Sequence, residues 1–140
     1  MSDRQKVPPR DILASMLVDG MTQKAIAAEW GRVTDTYVSR SAVAMAIKRE
    51  GLTSAHPRPR YDDVISWRVR QEHRNDWNVR MLRLYGQKRR GQELDAESAR
   101  WLQGWLERDL RGGEYVVSYD PVRGFRVVPR EPGDGPLTRP

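Results

Sequence analysis

The sequence of 140 residues predicts a mainly α-helical protein with two helical units and a β-hairpin near the end of the second unit. Two observations lead to this fold class. Apolar residues recur at helical spacing, between glycines and prolines, over most of the first 112 residues. The stretch EYVVSYDPVRGFRVVPR instead places Val and Tyr on both sides of the turn-forming sequence DPVRG, which is typical of a hairpin.

The first unit, residues 1–52, contains three predicted helices. PPRDILASMLVDG begins with two prolines and ends at Gly20, as helices often do. TQKAIAAEWG has Thr22 as a candidate N-cap and Gly31 as its expected stop. SRSAVAMAIKREG follows, with Ser39 as the expected cap and Gly51 as the stop. Each segment carries one apolar stripe, so the three helices are expected to share a core.

Residues 53–60, TSAHPRPR, predict a linker of polyproline character, because two prolines occur there without apolar periodicity. The second unit, residues 61–130, is expected to hold three more helices. The first of them begins near Asp62, which is interpreted as its cap, and the second lies in WNVRMLRLYG. The third is capped by Asp95 and carries the stripe WL..WL...L.

The hairpin is predicted with strands near 115–119 and 124–128. Three helices followed by a hairpin is the element order of a winged helix, so the second unit is expected to be winged-helix-like. Residues 131–140, EPGDGPLTRP, are rich in Pro and Gly and are predicted to form a flexible tail on the surface.

The charge distribution favours a polyanionic partner. The net charge is +6, and residues 1–60 hold ten basic against six acidic residues. Residues 61–112 hold eleven against nine, so the basic excess lies in the helical parts. Nucleic acid is the commonest polyanion that a basic surface attracts, although many cytoplasmic proteins are mildly basic without such a partner.

Several classes of protein are disfavoured. No apolar run approaches the roughly 20 residues of a membrane span, and the N-terminus lacks the apolar stretch of a secretory signal, so a cytoplasmic protein without membrane contact is expected. There are no cysteines. His56 and His73 lack metal-ligand spacing, and no HExxH, GxSxG or Gly-rich phosphate loop occurs. We therefore expect no enzymatic activity, no cofactor, no metal and no small-molecule substrate.

The second and third helices have the spacing of a helix-turn-helix with an enlarged turn. Ala27 is a small residue within the first helix of the pair, and Gly31 follows four residues later. In the compact motif, Tyr37 would fall at the apolar position that locks the second helix. A shift by six residues, RVTDTY, puts Val43 and Ala46 at the locking positions, which fits better.

The third helix is predicted to recognise DNA bases. At about 100° per residue, its apolar residues occupy one side and its small, polar and basic residues the other. No acidic residue occurs from Val38 to Arg49, whereas an ordinary solvated face, which is the alternative, usually carries some. Arg, Ser, Ala and Lys suit the base edges of a major groove. The predicted base-contacting residues are Ser39, Arg40, Ser41, Ala44, Met45 and Lys48.

Further polar and basic residues are predicted to contact the DNA backbone or the minor groove. Each of these residues also has an ordinary structural explanation. Turn residues are usually polar, a Pro/Arg linker can be a solvated spacer, and basic residues are favoured at helix C-termini by the helix dipole. The sequence leaves these alternatives open. The predicted backbone or minor-groove residues are Thr22, Gln23, Arg32, Thr34, Thr36, Tyr37, Arg49, Arg58, Arg60, Arg80, Arg83, Lys88, Arg89, Arg90 and Arg123.

The chain resembles the immunity repressors of cluster A mycobacteriophages. The resemblance rests on VSRSAVAMAIKREGL in the first unit and on YDDVISWRVRQEHRNDWNVRMLRLYGQKRRG with the following hairpin in the second, and it extends from Asp11 to Arg139. The helix-turn-helix is generic, whereas the GFRVVPR strand and the PGD tail are more distinctive. The turn RVTDTY departs from the compact motif, so the base-contacting residues are assigned from the helical face and not from family positions.

The resemblance implies a transcriptional repressor that maintains lysogeny. Such repressors silence an early lytic promoter and bind many asymmetric sites, called stoperators, as monomers on double-stranded DNA. Two other classes remain open from the residues themselves. A DNA-packaging subunit of the small-terminase kind also begins with a helix-turn-helix but forms rings. A DNA-cutting or recombining enzyme would need Mg²⁺, for which Asp62 and Asp63 are the candidate ligands if Asp62 is not a cap.

Overall fold

Residues 7–53 and 61–140 are described by a computed structural model, in which five α-helices precede one antiparallel β-hairpin. The predicted mainly helical class is confirmed, and the helices followed by a hairpin are compatible with a winged-helix-like fold. The chain divides into two compact units, 1–60 and 61–140, and the boundary lies where the predicted linker ends. Arg58 and Arg60, the predicted minor-groove residues of that linker, lie outside the described residues.

The first unit contains the three expected helices. They are α1 (Arg10–Val18), α2 (Gln23–Thr34) and α3 (Arg40–Arg49). Thr22 and Ser39 cap α2 and α3 as predicted, because each hydroxyl accepts the backbone N–H three residues later, at 3.1 Å. The apolar stripes of the three helices meet in one core. Its fully buried members include Ile12, Leu13, Met16, Ile26, Trp30, Val43 and Ala46.

The prediction that Gly31 ends the second helix is wrong. α2 continues for one more turn to Thr34, whose hydroxyl donates to the carbonyl of Trp30 at 2.7 Å. Asp35 then adopts a left-handed conformation (φ 54°), and the N–H groups of Asp35 and Thr36 both donate to the Gly31 carbonyl. A Cβ on Gly31 would lie 2.7 Å from the Thr36 carbonyl oxygen. Gly31 therefore permits the chain to fold back over α2 and does not terminate the helix.

The second unit contains α4 (Trp77–Arg89), α5 (Ala96–Gly104) and the hairpin strands β1 (Tyr115–Asp120) and β2 (Gly124–Pro129). The strands agree with the prediction to within a residue. Asp95 caps α5 as expected, and the helical path continues through a π turn at Trp105–Asp109. The core of this unit includes Val79, Met81, Leu82, Leu102, Trp105, Leu110, Val116 and Val117.

The helix predicted to start near Asp62 does not form. Residues 61–70 are irregular, and only a 3₁₀ turn at Gln71–His73 precedes α4. The segment does not form a helix and is instead fixed to α4 by side-chain contacts. Asp62, the predicted cap, accepts a hydrogen bond from Arg83 of α4. At Gly86 the segment crosses α4 closely, because a Cβ there would lie 2.8 Å from the Tyr61 carbonyl oxygen. Among the residues described, the second unit therefore contains two α-helices before the hairpin and not the three that were predicted.

The predicted flexible tail, 131–140, is packed against the hairpin. Thr138 forms a parallel β-bridge with Val117, whose N–H donates to the Leu137 carbonyl and whose carbonyl accepts the Arg139 N–H, both at 2.8 Å. Leu137 is buried, and the Arg139 side chain pairs with Asp134 at 3.0 Å. The prediction of a flexible tail was wrong, because it was based on the Pro and Gly content alone and did not consider the contacts that Leu137 and Arg139 make.

Candidate nucleic-acid interface

The outward face of α3 carries the side chains that the helical periodicity predicted. Arg40, Ser41, Met45 and Lys48 are exposed and Ala44 is half-buried. On the opposite side, the apolar residues are in the core; these are Val43 and Ala46, fully buried, and Ile47, 8% exposed. The two faces agree with the predicted arrangement. We name the set Arg40, Ser41, Ala44, Met45 and Lys48 the α3 face.

The α3 face is positively charged in space as well as in sequence. Arg40, Lys48 and the adjacent Arg49 form no hydrogen bond or ion pair through their side chains with any described residue. Glu50, directly after the helix, is engaged by Arg10, which donates to its carbonyl at 2.7 Å and lies 3.9 Å from its carboxylate. The cations of α3 therefore remain available for an anionic partner.

The two capping hydroxyls are already used within the protein. Ser39 is half-buried and its Oγ accepts the Ala42 N–H, so its predicted role at the base edges competes with its role as a cap. The Oγ1 of Thr22 accepts the Ala25 N–H in the same way. Gln23, the next residue, is the first residue of α2 and is half-buried. An anion near this position would meet the positive end of the helix dipole.

Among the predicted contacts near the connection between α2 and α3, Tyr37 has a side chain that forms no hydrogen bond or ion pair with a described residue. This residue is 89% exposed, although tyrosine is large and mostly apolar. The other predicted contacts of this region have partners: Arg32, in the last turn of α2, pairs with Glu29 at 2.5 Å, and the hydroxyl of Thr34, the last residue of α2, lies 2.9 Å from that of Thr36. Thr36 and Arg32 are nevertheless exposed, so both side chains remain accessible to a partner.

The predicted phosphate contacts of Arg80 and Arg83 do not agree with the structure. Arg80 is 1% exposed, which places its guanidinium inside the second unit. Arg83 is buried as well, and its Nε donates to Asp62 at 2.8 Å. A buried cation must be neutralised by the protein itself. These two arginines therefore stabilise the unit and do not form part of a DNA-contacting surface.

The C-terminal end of α4 divides into one engaged and two available cations. Arg90 donates to both carboxylate oxygens of Asp63, at 2.5 and 2.7 Å. This hydrogen bonding holds the pKa of Asp63 below its ordinary value of 3.8 and raises that of Arg90. Lys88 and Arg89 are exposed, and neither has an ion pair with a residue in the described ranges. Two of the five predicted basic contacts of this segment thus remain free.

Arg123 lies at the tip of the hairpin, as predicted, and is exposed. Its backbone N–H and that of Val122 donate to the carboxylate of Asp120, at 3.1 and 2.7 Å. These two hydrogen bonds are the main reason that the pKa of Asp120 is lowered. The turn is therefore held in shape by Asp120, which leaves the Arg123 side chain outside.

Four exposed arginines, in β2 and in the segment that packs on the hairpin, were not predicted as contacts. Arg126 alternates along β2 with buried Phe125, so the period of two in this strand was an available signal. The other three, Arg68, Arg70 and Arg74, belong to the segment that was predicted as a helix. No local pattern placed that segment against the hairpin.

No protein-family model and no curated protein matches this sequence. Within residues 7–53 and 61–140, no group of three or more His, Asp or Glu side chains is arranged to hold a metal ion. The helices in the same ranges are all too short or too polar to cross a membrane.

Proposed function

We propose that this chain is a transcriptional repressor that binds specific sequences of double-stranded DNA, with α2 and α3 acting as a helix-turn-helix with an enlarged turn. The observation that supports the proposal is the α3 face, whose cations have no partner among the described residues. In a major groove, the Arg40 guanidinium suits guanine O6 and N7, and Ser41 suits either a donor or an acceptor. Ala44 and Met45 suit a thymine methyl group.

The surroundings of α3 suit the two flanking phosphate strands. Tyr37 and Thr36 lie before its N-terminus, and Arg49 lies at its C-terminus, all exposed. A major groove about 12 Å wide admits one helix, so residues at the helix ends meet the backbone while those in between meet base edges. We assign phosphate contacts to Tyr37, Thr36 and Arg49, with Lys48 at the edge of the base-contacting set.

From the resemblance to cluster A mycobacteriophage immunity repressors, we further propose that this chain maintains lysogeny. A repressor of this kind keeps a prophage silent by occupying asymmetric operators and stoperators as a monomer. Binding alone accomplishes this, so the proposal includes no enzymatic step. Light scattering should then give a mass near 16.2 kDa. A mass several times larger supports the packaging-subunit class instead, and nicked DNA in the presence of Mg²⁺ supports the enzyme class.

The central experiment is a titration of two variants on two duplexes. Selection from a random-sequence duplex library provides the preferred duplex, and a scrambled version of it provides the comparison. Arg40→Ala should reduce the preference for the selected duplex by about tenfold to about a hundredfold, since a bidentate base contact contributes about 1 to 3 kcal/mol of discrimination. Arg49→Ala should weaken binding to both duplexes by similar factors and flatten the salt dependence by about one unit of slope.

Arg100→Ala is the matched control, because Arg100 is an exposed arginine on α5 in the second unit. It should bind both duplexes as the unmodified chain does. Equal losses of preference for the Arg40 and Arg49 variants would contradict the assignment of base contact to the α3 face. A selection that yields no preferred duplex would contradict the proposed function itself.

A further inference from the structure

A basic surface lies at the tip of the hairpin, where a second segment of the chain joins it. Arg70 donates its backbone N–H to the Tyr119 hydroxyl at 2.9 Å, and its Nη1 to the Pro121 carbonyl at 3.5 Å. Arg123 and Arg126 extend from the turn and from β2. We define Arg70, Arg123 and Arg126 as the hairpin-tip surface.

Aromatic packing fixes the joining segment against the hairpin. The ring of Tyr119 lies 4.5 Å from that of Phe125, and Trp67 contacts both, at centroid distances of 6.0 and 5.6 Å. His73 Nδ1 lies 2.9 Å from the Tyr119 hydroxyl, and the imidazole occupies the space beside Gly124. This packing holds the segment that contains Arg70 against the strands from which the hairpin turn extends.

The acidic residues near the tip are engaged with the protein itself. Asp120 accepts the backbone N–H groups of Val122 and Arg123, and Glu72 pairs with Arg70 at 2.9 Å. The pKa of Asp120 is lowered chiefly by these two backbone hydrogen bonds and further by the charges of Arg123 and Arg126, although neither arginine side chain bonds to it. Through the described part of the chain, the guanidinium groups of these two arginines form no hydrogen bond or ion pair.

Charge is unevenly distributed within the second unit. The segments 68–74 and 120–126, which meet at the tip, hold five arginines and two acidic residues. The segment 93–109, which contains α5, holds two arginines and five acidic residues. The segments that meet at the tip therefore attract a polyanion, whereas the α5 segment does not. Val122, 83% exposed at the tip, adds an apolar side chain that can contact a sugar.

We propose that the hairpin-tip surface is the site at which the second unit binds the phosphate backbone of duplex DNA, in place of the α4 segment that the sequence favoured. This inference rests on the proposed function, because it assumes the same duplex as the partner. Arg123, in the turn, and Arg126, in β2, each contact a phosphate, and Arg70, which donates to the turn carbonyl of Pro121, faces the same backbone. The surface contributes affinity without sequence preference.

The test uses the full chain and the selected duplex described above. Arg123→Gln combined with Arg126→Gln should weaken binding on the order of tenfold, and should flatten the salt dependence by about two units of slope, since each phosphate contact contributes about 0.9. Nuclease footprinting should show protection that is shortened at one end of the site. Replacement of both residues by lysine should restore most of the affinity, which also excludes misfolding as the cause.

Two charge-matched double variants are the controls. Lys88→Gln with Arg89→Gln removes the free cations at the end of α4, and Arg100→Gln with Arg108→Gln removes two exposed arginines of the acidic segment. Both should bind within about twofold of the unmodified chain. Equal weakening in all three double variants, or full affinity without Arg123 and Arg126, overturns the inference.

The outcomes also separate this inference from the proposed function. If the Arg40 variant loses sequence preference while the hairpin-tip variant binds normally, the function stands and the hairpin-tip inference fails. If the unmodified chain selects no duplex, both fail. If the hairpin-tip variant instead loses binding only to single-stranded RNA or to an acidic protein, the assignment to duplex DNA is wrong.

Discussion

The helices α3 and α4 look alike in sequence and differ in space. Both contain several basic residues and no acidic one. On α3, the side chains of Arg40 and Lys48 are exposed and have no described partner. On α4, Arg80 and Arg83 are buried. The same local charge pattern thus gives an accessible cationic face on α3, whereas on α4 it gives two buried arginines and leaves only the cations of the last turn exposed.

The difference follows from where each helix lies in its unit. α3 covers one side of a small core, so only its apolar stripe is buried. α4 buries residues around most of its circumference, as expected for a helix at the centre of its unit. A cation on such a helix must find an acidic or carbonyl partner inside the protein, because an unpaired buried charge is very unfavourable. Asp62 provides one such partner from 21 residues away.

The largest expected effect is the loss of Arg80. Arg80→Ala should lower the free energy of unfolding of the second unit by about 3 kcal/mol, because it removes a fully buried side chain together with its interactions. Arg40→Ala should change stability by less than about 0.5 kcal/mol. Urea unfolding followed by tryptophan fluorescence measures both, since Trp67, Trp77, Trp101 and Trp105 report on the second unit and Trp30 on the first.

Arg89→Ala is the control on the same helix, because Arg89 is exposed and follows Arg80 by nine positions. It should be as neutral for stability as Arg40→Ala. Were Arg80→Ala to cost no more than Arg89→Ala, the contrast between the two helices would lose its energetic basis.

The next effect concerns the two glycines over which another segment passes. An alanine at an ordinary helical position stabilises by about 0.5 to 1 kcal/mol relative to glycine. Gly31→Ala and Gly86→Ala should instead destabilise by about 1 to 3 kcal/mol, because the new Cβ would meet a backbone carbonyl oxygen in each case. Thermal unfolding gives the sign, and hydrogen exchange shows which unit is affected.

Gly104→Ala serves as the matched control. The atoms nearest to its Cβ position belong to the side chain of Arg108, which can move away. This substitution should be neutral or stabilising. A stabilising effect at Gly31 or Gly86 would mean that the connection before α3, or the segment that crosses α4, does not approach its helix as closely as described.

The smallest effect is a pH dependence confined to the second unit. The pKa of Asp63 in the folded chain lies below its ordinary value of 3.8, chiefly because Arg90 donates a hydrogen bond to it. The stabilising contribution is therefore complete above the ordinary pKa and is lost as the pH falls through the lower, folded value. Asp63→Asn should reduce stability at neutral pH, and the deficit should shrink below about pH 4.

Urea unfolding between about pH 6 and about pH 3 tests this prediction. Lys48→Ala on α3 is the comparison, since its exposed cation has no described carboxylate partner and its effect should not change with pH over this range. A deficit for Asp63→Asn that stays constant at all pH values would indicate that the Asp63–Arg90 pair does not persist in solution.

Local signals predicted most of the regular structure. Thr22, Ser39 and Asp95 were identified as caps, because a small hydroxyl or carboxylate before an apolar periodic run satisfies free N–H groups of the first turn. The α3 face followed from helical periodicity alone. The segment 61–70 was predicted wrongly, because its spaced Val and Ile residues imitate a helical stripe while the β-branched type equally suits extended chain.

The α3 face and the second unit differ in how much of the candidate interface could be anticipated. All five members of the α3 face were named from the sequence. Of the hairpin-tip surface, only Arg123 was named. Arg70 reaches Pro121 across 51 residues of chain, and no periodicity connects two such distant segments.

The sequence by itself determined the caps Thr22, Ser39 and Asp95, the apolar side of α3 and the hairpin, because each depends on residues within a few positions of one another. The tertiary structure decided which positive charges are accessible and that the tail packs beside β1. The physical reason is the distance along the chain over which each interaction acts. Hydrogen-bonded turns and periodic faces are local, whereas the pairing of Arg83 with Asp62 and of Thr138 with Val117 depends on which distant segments the core brings together.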